Sequence, residues 1–149
     1  MSARPLTAPP LNRLGIALLI AALVCWIGFH LLPMEDHTRG WETWQSIWMI
    51  MTRGSMPGWH SMVFISSFLT LSILVMASPF ATSLLQASRL CRWLAIGGSG
   101  FALLCLGTII LDYGPLLPAL TVLLASMTLN FAGLICLRAP HLETRPDAP

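Results

Sequence analysis

The chain has 149 residues, of which 56% are hydrophobic and only 9% charged, and its net charge of +2 rests on arginine alone because no lysine occurs. A soluble domain carries roughly 25% charged residues to coat its surface, whereas a bilayer asks for no polar coat. The composition excludes an ordinary water-soluble fold, and so small a net charge leaves no electrostatic footprint for nucleic acid.

Residues 1–13, rich in Pro and carrying Arg4 and Arg13, read as a disordered N-terminus. The first apolar run, 14–32, approaches the roughly 20 residues a helix needs to cross about 30 Å of hydrocarbon. Basic residues ahead of an apolar run also mark secretory signal peptides. Here no A-x-A site follows, Val24 stands where a lipoprotein-type cleavage before Cys25 wants a small residue, and the run continues through Trp26, Phe29 and His30 to Pro33. A retained anchor is the expectation.

The segment from Pro33 to Gly58 cannot span, yet it holds Trp41, Trp44 and Trp48. Read as a helix over 41–53, it places Trp41, Trp44, Trp48 and Met51 on one stripe, with Ile47 beside them and Glu42, Thr43, Gln45, Ser46 and Thr52 largely opposite. Gly40 before it, and Arg53-Gly54 and Met56-Pro57-Gly58 after it, are breakers that turn the chain back. Tryptophan favours the headgroup zone, where its ring is apolar and its N–H stays wet. Two settings use that chemistry: the stripe lies on lipid, or it packs as a lid across the outer ends of the spans.

The second span, 59–78, is the most polar, but its hydroxyls can bond back to carbonyls of their own helix. Ser78-Pro79 reads as a cap with proline at the first helical position, opening a short surface helix in PFATSLLQAS. The third and fourth spans are expected over 91–111 and 116–137, joined by the DYGP turn, and 138–149 is expected to be disordered. The predicted fold is an all-α integral membrane protein, a four-transmembrane-helix up-down bundle with a short amphipathic Trp-rich interfacial helix in its first external loop. Arg4, Arg13, Arg89, Arg92, Arg138 and Arg145 fall on one side and Arg39 and Arg53 on the other. Positive residues stay cytoplasmic, so a multi-pass protein of the cytoplasmic (inner) membrane with both termini inside is expected.

In lipid, small residues and interhelical hydrogen bonds bring helices together. Candidates for packing are Ala17, Ala21, Cys25 and Gly28 in the first span, Gly97, Gly98, Gly100 and Gly107 in the third, and Ser126, Asn130 and Gly133 in the fourth. Asn130, the one strongly polar amide at depth, is expected to bond across the bundle. Cys25, Cys91, Cys105 and Cys136 lie in or beside apolar runs without CxxC spacing and read as small buried hydrophobes.

No charged residue lies mid-span, which argues against an ion or proton pathway. His30 and His60, near one membrane boundary, could reach a common haem b iron or a quinone, since histidine is a natural axial ligand. Met34, Met49, Met51, Met56 and Met62 with His37 offer soft ligands to copper, although methionine also simply fills apolar faces. No nucleophile stands at a telling distance from Asp36 and His37, so no hydrolytic site is expected. The predicted partners are the bilayer and either another membrane protein or a second copy of the chain. A non-enzymatic accessory role is favoured, with a His30–His60 redox protein as the alternative.

Overall fold

A computed structural model describes residues 10–34, 39–52, 58–112 and 117–137. Among the described residues six helices follow in order: α1 (Pro10–Leu31), α2 (Glu42–Thr52), α3 (Trp59–Ala77), α4 (Thr82–Ala87), α5 (Arg89–Asp112) and α6 (Pro118–Cys136). Among the described residues the one extended pairing is an isolated bridge between Pro33 and Arg39. The expected acidic and histidine positions Glu35, Asp36 and His37, the breakers Arg53 to Pro57, the turn residues Tyr113 to Pro115 and residues 1–9 and 138–149 lie outside the described residues.

Asn12–Leu31, Arg89–Ile110 and Pro118–Cys136 are each long and apolar enough to cross a membrane, which marks the chain as a membrane protein; the apolar part of α3, Ser61–Ala77, is shorter. The helix α1 begins before the expected start at residue 14, because proline is tolerated in a first turn and Asn12 is buried (3% exposed). Pro118 opens α6 for the same reason.

The closest helix pair is α1 with α6. Gly15 and Gly133 face each other there: a Cβ on Gly15 would stand 3.0 Å from the Gly133 carbonyl oxygen, and one on Gly133 would stand 2.9 Å from Leu19 Cδ2 and 3.1 Å from the Gly15 carbonyl oxygen. Missing side chains let the backbones approach, and Ser126 Oγ then donates across the gap to the Ala22 carbonyl at 2.8 Å. The buried face of α1 is therefore Gly15, Leu19, Ala22, Trp26 and Phe29. Ala17 is exposed and Ala21 only half-buried. The expected Ala17–Ala21 face is displaced because Gly15 sets the contact point, and the helical period carries it to Leu19 and Ala22.

On α5, a Cβ at Gly100 would meet the Phe131 ring of α6 at 3.3 Å and one at Gly98 would meet Leu74 of α3 at 3.3 Å, whereas Gly97 and Gly107 have open space. Gly97 is exposed. It turns away from both neighbours, since one residue along a helix is a rotation of about 100°. The helices α1, α3, α5 and α6 enclose a core built on Trp26, Phe68, Leu71, Leu106, Leu123 and Met127, with a second cluster of Leu19, Leu85, Ala95, Leu134 and Leu137 at one end.

Asn130, fully buried, donates from Nδ2 to Ser99 Oγ of α5 at 3.1 Å, the cross-bundle bond expected of it. Its Oδ1 and the Ser67 hydroxyl are buried without a protein partner among the described residues. Replacing Asn130 with leucine removes one bond and also one orphaned acceptor, so the two effects oppose. Asn130→Leu is expected to alter detergent-resistant thermal stability by less than Ser99→Ala, which leaves the whole amide unpaired; the hydrogen bond itself is worth roughly 0.5–2 kcal/mol.

Ser78 does not open a helix as expected. It is the C-cap of α3, its N–H bonding to Leu74 O at 2.9 Å, and the N–H groups of Phe80 and Ala81 both bond to Ala77 O. The capping hydroxyl is Ser88 instead, which accepts from the Cys91 N–H at 3.3 Å and starts α5. Between them, α4 lays Leu85 into the end of the bundle. All four cysteines are free and half-buried.

Candidate functional site

The segment with the most distinctive chemistry is α2, and its position is set by the end of α1. The bridge between Pro33 and Arg39 folds the chain back, and Gly40 N–H donates to Leu32 O at 3.4 Å. A side chain at Gly40 would run into the Phe29 carbonyl group, so only glycine lets α2 start so close to α1. Glu42 in the first turn suits the positive end of the helix dipole.

Ile47 is the residue of α2 that enters the core (4% exposed), with Ile50 and Met34 packed partly against the same cluster. Thr43 Oγ1 lies 3.9 Å from Met34 Sδ. Thr43, Ile47 and Ile50 follow an i, i+4, i+7 pattern, and this is the face set against the bundle. The tryptophan stripe flanks that face: Trp41, Trp48 and Met51 are exposed at 44%, 68% and 62%. Trp44 stands at the border, 36% exposed. The residues of α2 set against the bundle are chiefly its isoleucines, which fit a close helix contact without an N–H to satisfy.

Trp44 is fixed by a specific bond. Its Nε1–H donates to His30 Nε2 at 2.9 Å, while the other ring nitrogen of His30 lies 2.8 Å from the Trp26 carbonyl oxygen. These partners require a neutral imidazole with its proton on Nδ1, donating to Trp26 O and accepting from Trp44. Rings surround the pair: Trp26 at 4.8 Å and Phe29 at 5.1 Å from His30, and Phe68 at 5.3 Å from both Trp26 and Trp44. The result is an aromatic joint between α1, α2 and α3. His30 was singled out by sequence as a ligand candidate; its structural partners were not legible there, because Trp44 is brought to it only by the Gly40 turn.

His60 lies in the first turn of α3, and its side chain is outside the described residues. An iron at His30 would need the Nε2 lone pair that Trp44 now occupies, so ligation would have to displace that indole. Of the methionines considered for copper, Met49, Met51 and Met62 are exposed, Met34 packs against the core, and Met56 and His37 lie outside the described residues. Outward of the joint, Trp44, Gln45, Trp48 and Met49 line an open groove of about 480 Å³. Its walls are apolar and aromatic with one amide.

The packing residues Gly15, Leu19 and Ser99 were missed from sequence. The i, i+4, i+7 series Gly15, Leu19, Ala22 carried a signal, but the series Ala17, Ala21, Cys25 and Gly28, small throughout, competed with it. The chain matches no family model, and no curated protein or solved structure resembles it significantly.

Proposed function

We propose that this is a four-span protein of the cytoplasmic membrane with both termini inside, serving as a non-enzymatic accessory subunit or interaction partner of a larger membrane complex. The observation that carries the reading is the division of labour on α2: Ile47 and Trp44 hold the helix, while Trp41, Trp48 and Met51 are left outward on a rigid support. An exposed apolar and aromatic face held in place by its opposite side is what an interface needs. In the bilayer that face sits at headgroup level on the outer side, where indoles are favoured.

A fourth span is supported by α3, whose 19 residues extend about 28 Å and which lies beside α5 within the bundle. The arginine distribution supports the orientation: Arg13, Arg89 and Arg92 stand at one end of the bundle, and Arg39 with Glu42 at the other.

Affinity capture from mild detergent tests the role. A partner retained by the wild-type chain is expected to be lost with the double variant Trp48→Ala/Met51→Ala and kept with Leu104→Ala, which changes an exposed residue of α5. Capture indifferent to Trp48 and Met51 would remove the basis of the proposal, and a C-terminal reporter found outside would refute the four-span topology. The redox alternative has its own readout: a Soret band abolished by His30→Ala would replace the accessory role with haem binding.

A further inference from the structure

The start of α5 carries a surface that the accessory role leaves unused. By the helical period, Arg92, Arg89, Trp93, Leu90 and Leu94 succeed one another around half of the helix circumference, passing from cationic through aromatic to aliphatic. Arg89 is exposed, and Leu90, Trp93 and Leu94 are exposed at 68%, 63% and 65%. Arg92 is half-buried and donates one N–H to Leu137 O at 3.4 Å, closing the end of α6. Leu137 lies against Gly15, which brings exposed Arg13 of α1 to the same end of the bundle. Among the described residues no carboxylate stands at this end; Glu42 belongs to the opposite one.

We propose that this surface binds an anionic phospholipid of the adjoining leaflet. The phosphodiester pairs with Arg89 in the field of Arg13 and Arg92, and the glycerol and upper acyl region lie on Trp93, Leu90 and Leu94. From the end of α5 inward, Arg89 comes first and Trp93 and Leu94 stand about one turn deeper, which is the order of headgroup and chain along a phospholipid, and guanidinium suits a phosphate through its paired N–H donors. Charge selects this occupant over two others. A second copy would bring the same arginines, and in the chain's own C-terminal tail Arg138 and Arg145 cancel Glu143 and Asp147. The inference rests on the membrane reading above but not on any protein partner.

The test compares the purified full chain in nanodiscs of phosphatidylcholine with and without phosphatidylglycerol, with retained lipid read by native mass spectrometry. Phosphatidylglycerol is expected to be retained over phosphatidylcholine, Arg89→Gln to weaken that retention about fivefold, and Arg89→Lys, which keeps the charge but not the paired donors, to fall between the two. Equal retention of the two lipids, or an Arg89→Gln variant that binds like the wild type, would overturn the site. A chain that stays monodisperse without amphiphile would overturn the membrane reading itself, so the two failures are distinguishable.

Discussion

Alanine at Gly15 or at Gly133 is expected to destabilise the bundle by about 1–3 kcal/mol, whereas alanine at Gly97 leaves stability unchanged or raises it by up to about 1 kcal/mol. The three substitutions add the same methyl group to helices in the same solvent, so the difference isolates contact. At Gly15 the methyl would meet the Gly133 carbonyl oxygen at 3.0 Å and Leu137 Cδ2 at 3.2 Å; the first of these is backbone and cannot step aside. At Gly133 the nearest atom, Leu19 Cδ2 at 2.9 Å, can rotate away, but the Gly15 carbonyl oxygen behind it cannot. Either change pushes α1 from α6 and lengthens the bond from Ser126 Oγ to Ala22 O, now 2.8 Å. In lipid no hydrophobic term compensates a lost close approach, so the dispersion and hydrogen-bond losses appear in full. At Gly97 the methyl meets nothing within 4 Å, and only the helix preference of alanine over glycine remains. Thermal unfolding in one detergent at fixed micelle concentration reads the ranking. Gly97→Ala proving as damaging as Gly133→Ala would mean that α1 and α6 do not cross at these glycines.

The same comparison shows what sequence could and could not convey. The apolar runs reported themselves because a bilayer-crossing helix is a local property of composition and length, so α1, α5 and α6 were legible to within a few residues. Asn130 was legible as well, since an amide at depth has few alternatives to an interhelical partner. Which glycine touches which helix was not, because Gly97 and Gly98 differ only by rotation, and rotation is decided by the neighbours. The role of Ser78 was not legible for a related reason: a serine before proline fits a helix start, yet α3 runs up to Ala77 and takes Ser78 as its C-cap. On α2 the periodicity puts the aromatic residues on one stripe but gives no rule for ranking it against the adjacent isoleucines.

Truncating Ile47 to alanine is expected to cost the docking of α2 about 2–5 kcal/mol. Ile47 is the buried member of α2, set in the cluster that contains Trp26, Phe29, Phe68 and Met127. Its loss leaves a cavity beneath a helix of only 11 residues, too short to persist in water without tertiary support. Hydrogen exchange in nanodiscs would register this as tenfold or faster exchange of the α2 amides, with those of α5 and α6 unaltered. Trp44→Phe should act in the same direction but less, about fivefold, because the ring packing on Phe68 survives while the bond to His30 Nε2 is lost. Gly40→Ala should reproduce the Ile47 effect from the other side, since its methyl cannot coexist with the Phe29 carbonyl and the turn into α2 must open. Trp48→Ala, by contrast, should leave α2 exchange unchanged, as Trp48 is 68% exposed and faces away from the bundle. If Trp48→Ala freed the helix and Ile47→Ala did not, α2 would be anchored by what lies outside the chain, and the outward tryptophans would be its support rather than its offer to a partner.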